Sequence, residues 1–468
     1  MNTDYDVIVV GGGISGAVCA ATLQLHGVHT LLISETRTLA HNTRSVEVAG
    51  HTVAIQPPVW GFTWNNGGAW ARCIREHNLP TRLHMVPEPQ LAILGKEERI
   101  ALPLMMSARA LTDSLFQWLP FPLPDDAREE VEQILNEGML IPSAELSEMH
   151  DLPLAKWLEL KGVGDATKLV VLSLTALLAG LPVTTIAEQF SVYGAFASLR
   201  LTLLTGDGTV VLMEPDVPRG LVVPLADRVE QLGGEVWKGS PIDRVLIEDG
   251  RAVGVRTKHG RTARAQHIAL AVGNPRLPAF FDSLPPELDA PLSKELPLQH
   301  EDLFIIRVFD RKVMDISCYL MIADLETGLF NWVVPDVELA PWNHTEHGQG
   351  KQIAVVWGSR GRAEGLDSQQ EFEDYLDDVG ERTFPGWKAA TIAKSAISHG
   401  HHWMNPLYIG PKVPRQSPTY ESLWYCGDGT TPVSGLGSEQ AAFAGRHGAE
   451  SILVALGKPA PNPSLLKT

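Results

Sequence analysis

The sequence predicts an α/β fold of two unlike parts, one of them assembled from separate stretches of the chain. Three observations lead there. A β-branched run, Val7 to Val10, breaks into closely spaced glycines and resumes with helical spacing. A second stretch of α/β character runs from Pro218 to Pro275. A third, from Glu421 to Leu453, reads as strand, glycine-rich loop and helix.

The first stretch is the most explicit. Val7, Ile8, Val9 and Val10 read as a buried parallel strand. Gly11, Gly13 and Gly16 follow at G-x-G-x-x-G spacing. The first glycine permits a tight turn, the second lets backbone approach a pyrophosphate, and the third lets helix pack on strand. Ile14 and Ser15 open that helix, and its unpaired N–H groups would face the phosphates. A second strand, Thr30 to Ser34, ends in Glu35, where a carboxylate grips a ribose hydroxyl. The order makes a Rossmann-like dinucleotide site. It leaves open whether the ligand is FAD or NAD.

Bulk properties narrow the partners. A chain of 468 residues suggests two or three domains. A net charge of -17 excludes nucleic acid as partner and any purely electrostatic grip on anionic lipid. No secretory signal is read at the start, where Asp4 and Asp6 precede the first apolar run. The longest apolar stretch, Leu169 to Leu181, is too short to span a bilayer and reads as a buried helix. Peripheral contact with a membrane stays open. Cys19, Cys73, Cys318 and Cys426 form no C-x-x-C pair, so neither a redox disulfide nor a cysteine-rich zinc site is expected. They read as free thiols of a cytoplasmic protein. His399, His401 and His402 lack a metal-binding spacing, and no metal is expected.

Along the rest of the chain, helices are expected over Ala69 to His77, Met105 to Trp118, Ala127 to Glu137, Leu152 to Lys161 and Ala166 to Ala179. A hairpin turns at Glu248-Asp249-Gly250. Strands are expected at Leu303 to Phe309, Cys318 to Ala323, Leu329 to Val334 and Gln352 to Trp357, before an acidic helix at Gln370 to Arg382. In the closing stretch, Gly427 and Asp428 follow a strand, and Gly435 and Gly437 precede a helix rich in small residues. Glycine loops at both ends of the chain suit one long ligand, which favours FAD over NAD.

With GGGISG plus Glu35, GGEVWKGSPIDRVLIEDGRAVGV and WYCGDGTTPVSGLGSEQAAFAG in view, the sequence resembles the phytoene-desaturase branch of the flavin amine oxidase superfamily. The resemblance implies non-covalent FAD in a discontinuous Rossmann-like domain of glutathione-reductase and amine-oxidase type. That domain would comprise residues 1–100, 218–275 and 415–468. Residues 101–217 and 276–414 would form an α+β substrate domain of mixed sheet and covering helices. Ile242 would contact the adenine through its backbone, Asp428 the ribityl or pyrophosphate, and Leu436 and Gly437 the isoalloxazine. One departure stands out. Where the family carries Gly-Gly-Arg, this sequence has His41-Asn42-Thr43-Arg44, keeping only the arginine to pair with phosphate. The family's later Asp-x-Gly is replaced by Gln56-Pro57-Pro58.

No second G-x-G-x-x-G has a strand before it and a helix after it, so no dedicated NADPH domain is expected. The leading reading is an FAD-dependent oxidoreductase passing hydride from an apolar or partly apolar small molecule to flavin N5, with C–C desaturation first. Amine oxidation stands second, because no lysine is placed by motif as the amine oxidases' water-linked lysine would be. A redox-neutral isomerase or cyclase and an FAD-binding protein without turnover are the alternatives. The stretch HGHHWMNP supplies His401 and His402 as candidate bases and Trp403 as a pocket wall, with loop histidines as the plainer account. Trp60, Phe62 and Trp332 are further pocket candidates, with core packing as theirs.

Overall fold

A computed structural model describes residues 4–43, 45–54, 68–87, 89–101, 108–118, 124–179, 183–203, 211–295, 300–341, 344, 350–360, 366, 368–401, 407–430 and 437–460. Two seven-stranded sheets organise them.

The first sheet grows from the β-branched run. Tyr5–Val10 lies at its centre, parallel to Thr30–Ile33 on one side and Thr262–Leu270 on the other. Val7, Ile8 and Val9 have no exposed surface, as a parallel strand covered on both faces requires. Glu235–Trp237 extends the sheet beyond Thr30–Ile33, and Leu423–Tyr425 joins the far half of Thr262–Leu270, both in parallel. The near half of that strand turns to antiparallel pairing with Arg251–Thr257, which forms a hairpin with Ile242–Glu248. Its turn residues Asp249 and Gly250 both take positive φ, 50° and 76°, which matches the twist of the strands. Helices Ile14–Leu25, Val223–Gln231 and Gly437–Ala455 cover one face. Residues Leu277, Phe280, Leu288 and Leu292 cover the other.

The second sheet is antiparallel with one exception. Its order is Thr391–His401, His300–Phe309, Gln352–Arg360, Phe330–Pro335, Leu320–Ala323, Gln90–Ile93 and Arg99–Ala101. Only Leu320–Ala323 and Gln90–Ile93 run in parallel. Strict alternation divides its side chains. Phe304, Ile306 and Val308 enter the core shared with the helices of residues 108–203, while Leu303, Ile305 and Phe309 pack under helix Gln369–Thr383.

The fold class is the expected one, with differences at the seams. Gln90–Ile93 and Arg99–Ala101 belong to the second sheet, although residue 100 was the expected end of the first part. Long-range pairing with Leu320–Ala323 decides this, and no local pattern reveals it. Residues 276–295, expected in the second part, pack on the first sheet instead. Thr391–His401 is a strand that sequence patterning did not announce. Helix Asp165–Ala179 is not buried throughout, since Leu169 is exposed.

Candidate functional site

A groove runs along the C-terminal ends of the parallel strands of the first sheet, where the first turn after Val10 opens. This is the crevice that doubly wound sheets offer to ligands. Gly11, Gly12, Gly13, Ile14 and Ser15 form its middle. Gly11 holds φ +130°, and a Cβ on Gly16 would stand 1.8 Å from the Gly11 carbonyl oxygen. Strand, turn and helix therefore touch main chain to main chain. Helix Ile14–Leu25 begins at Gly13 with no side-chain cap and no acidic residue in its first turn. Its terminal N–H groups and positive dipole end are left for an anion.

One end of the groove is formed by Ser34, Glu35, Thr36, Ile242, Arg276 and Phe280. Glu35 follows the strand on one side of Tyr5–Val10, and Arg276 follows the strand on the other. The two side chains meet as an ion pair across the sheet's edge, each about half-exposed. The opposite end is formed by His41, Thr43, Gly427, Asp428, Gly437 and Ser438. Gly427 packs against the Val272 carbonyl, where a Cβ would stand 2.1 Å from the oxygen.

The groove thus gathers Gly11, Gly13, Ile14, Ser15, Glu35, Ile242, Gly427, Asp428 and Gly437 from three distant stretches. Gly16 lies behind it as the packing glycine. Arg44 and Leu436 fall outside the described residues. Sequence reasoning missed Arg276 and Phe280. The available signal was positional: they lie just beyond a strand flanking the first one, where such sheets place their ligands.

Of the expected catalytic residues, only His401 lies among those described. His401 ends the edge strand Thr391–His401, paired through its backbone with His300. His402, Trp403, Trp60 and Phe62 lie outside the described residues. Trp332 is buried in the second sheet, stacked on Trp357 with centroids 5.3 Å apart and an interplanar angle of 4°. Phe304 stacks on the other side of Trp357 at 5.7 Å, giving an aromatic row across three strands. Among the described residues, no group of three His, Cys, Asp or Glu side chains could hold a metal. All four cysteines are buried and free. No described helix is long and apolar enough to cross a membrane.

Comparison with known proteins agrees with this geometry. The family described as NAD(P)-binding Rossmann-like domain matches residues 9–76. Nicotine dehydrogenase of Pseudomonas putida (strain DSM 28022 / S16) is 35% identical over 74 residues, which span 16% of this chain and 13% of that protein. Among solved structures, an oxidoreductase from Methanosarcina mazei superposes with a TM-score of 0.72 at 17% identity, covering 97% of this chain and 100% of that one. Cyclohexylamine oxidase from Brevibacterium oxydans IH-35A superposes with a TM-score of 0.64 at 15% identity, covering 97% and 100%. At such identities the likeness is one of fold. At that level the resemblance read from the three glycine-rich blocks holds.

Proposed function

We propose that the protein is an FAD-dependent oxidoreductase. It would take a hydride and a proton from neighbouring atoms of a small, largely apolar substrate and leave a double bond. The observation that carries this reading is the single groove that joins glycine loops from both ends of the chain. FAD suits its residues. The uncapped helix end awaits an anion, and among the described residues nothing stands within 4 Å of where a Cβ would lie on Gly13 or Gly437.

In this reading the Gly11–Gly16 turn, with Ile14 and Ser15, binds the pyrophosphate through N–H groups. Glu35 takes the adenosine ribose, and Ile242 the adenine. Gly427 and Asp428 take the ribityl chain, Leu436 and Gly437 approach the isoalloxazine, and Arg44 pairs with a phosphate. When bound, FAD supplies the hydride acceptor at N5. The chain's own share is to orient the substrate, exclude water and take up the proton. His401 and His402 are the proposed bases, with Trp403 as a wall. Substrate would lie between the two sheets, since ligand sites favour such junctions. The first sheet would then be a discontinuous FAD domain, and the second the floor of the substrate domain.

C–C desaturation is the first reading because the three glycine-rich blocks resemble the phytoene-desaturase branch. Oxidation of a C–N bond is the second reading, favoured by the shared fold with cyclohexylamine oxidase. Anaerobic mixing of the FAD-loaded protein with cyclic hydrocarbons, cyclic ketones and cyclic amines separates them. Bleaching of the flavin absorbance by a compound without nitrogen supports the first reading, and bleaching by amines alone the second. A flavin that dithionite reduces but no compound bleaches would point to FAD binding without turnover.

A further inference from the structure

The closing helix Gly437–Ala455 reaches the groove through Gly437, Ser438 and Ala441. Between them Glu439 is buried, with 2% of its surface exposed. Its Oε1 accepts the backbone N–H of Ala69, and its Oε2 accepts that of Trp70 at 3.2 Å. These are the first two N–H groups of helix Ala69–Glu76, whose own N-cap, Gly68, has no side chain to offer. Glu439 therefore caps that helix from a remote part of the chain. Trp70 returns the contact by donating its indole N–H to the Ser438 carbonyl at 3.2 Å.

The far end of helix Ala69–Glu76 is joined to the middle of the closing helix as well. Both Nη atoms of Arg446 hold the Glu76 carboxylate, and its Nε holds Glu450 at 3.1 Å. The spacing from Glu439 to Arg446 equals that from Ala69 to Glu76, so the short helix runs beside the first half of the closing helix and is pinned to it at both of its own ends. Burying a carboxylate is costly unless its oxygens are matched, and here both are matched by helix N–H groups.

We propose that Glu439 is a positioning residue for the cofactor: by capping helix Ala69–Glu76 it fixes the first turn of the closing helix, and with it the Gly437–Ser438 wall of the groove. This rests on the FAD reading above, because it is the flavin end of FAD that this wall would meet.

The cap has a pH signature. Ionised, Glu439 accepts from both N–H groups; protonated, one oxygen becomes a donor and half the cap is lost. Burial pushes this carboxyl up to about 8 despite the bonds from Trp70 and Ala69. The neighbouring charges are already engaged. Arg72 and Arg446 are bonded to Glu76, Arg446 also to Glu450, and burial pushes the nearby Cys73 thiol up to about 12. Asp428 faces the same groove end, and His77 closes helix Ala69–Glu76.

The test is FAD titration of the apoprotein between pH ~6.5 and ~9, followed by flavin fluorescence. The native Kd should fall by about tenfold as pH rises through this range, the scale of one charge-assisted hydrogen bond. Glu439→Gln should show a flat profile at the weak end. A Glu439→Gln profile that parallels the native one overturns the proposal. Trp70→Phe, which removes only the indole N–H, should raise Kd by about threefold while keeping the native pH profile. An unchanged Kd in Trp70→Phe also overturns it, and this arm stands if the Gln variant does not fold. Native protein that binds no FAD at any pH would defeat the reading of the groove, a different outcome from native binding with unaffected variants.

Discussion

The two sheets differ in how their strands meet, and so in what their edges offer a ligand. Around Tyr5–Val10 the strands are parallel, and their ends release loops and a helix N-terminus on one side. The site there is made largely of main chain: glycines, N–H groups and a carboxylate at a strand end. In the second sheet five of the six strand pairs are antiparallel, and its character lies in side chains such as Trp332, Trp357 and Phe304. A main-chain site needs fixed spacing in sequence, whereas a side-chain surface can be assembled from residues far apart. In the proposed reading, cofactor recognition is thus confined to short motifs, and substrate recognition would be free to vary.

If the two regions serve separate roles, damage to one should leave the other's function in place. The largest effect is expected deep in the second sheet's outer core. Trp387 has no exposed surface and packs edge-on to Phe309 at 4.7 Å. Trp387→Ala should cost about 3–5 kcal/mol of stability, read by denaturant unfolding, while the FAD Kd of the folded protein stays native. A parallel loss of FAD affinity would break the separation.

The next effect belongs to the first region and is read in acid. His77 is buried, neither ring nitrogen has a hydrogen-bond partner among the described residues, and burial lowers its pKa to about 4. A folded-state pKa below the unfolded one means that the unfolded chain binds more protons between pH ~4 and ~6.5. Stability is therefore lost as pH falls through that window, by about 3 kcal/mol for this group. Glu439 acts with opposite sign, since its raised pKa makes stability fall as pH rises from ~4.5 toward 8. The measurement is therefore the difference between native protein and His77→Leu, which should shrink the acid loss by that amount. In the second region the buried His344 is bonded to Asp336 at 2.7 Å instead. An acid profile unchanged in His77→Leu would mean that the ring finds solvent.

The smallest effects sharpen the groove itself. Glu35→Ala should weaken FAD binding by about 1.5–3 kcal/mol, the range for a hydrogen bond to a charged group. Arg276→Ala should change it by less than about 1 kcal/mol, because its ion pair with Glu35 is half-exposed. Isothermal titration of both variants ranks them, and the reverse order would make Arg276 the principal ligand.

The same contrast explains what could be read from the chain. Gly11, Gly13, Gly16 and Glu35 announce their geometry through spacing alone, because turn, close packing and the carboxylate at the strand end all lie within one βαβ unit. The Asp249–Gly250 turn is equally local. Strand Thr391–His401 is not, for its apolar pattern is weak and His300–Phe309 holds it by backbone bonds. Gln90–Ile93 owes its place to a partner more than two hundred residues away, Leu320–Ala323. Glu439 reads as an ordinary helix-start acid until Ala69 and Trp70 arrive from the other end of the chain. His402 and Trp403 lie outside the described residues, and His401 is described only by its backbone pairing with His300.

The central claim is that one groove holds FAD from adenosine to flavin. It is tested most directly by adding FAD and NAD separately to apoprotein, then denaturing the complex and weighing ligand and chain. The account predicts one FAD per chain, released intact, with no comparable retention of NAD. Retention of NAD in preference to FAD, or a flavin mass left on a peptide, would contradict it.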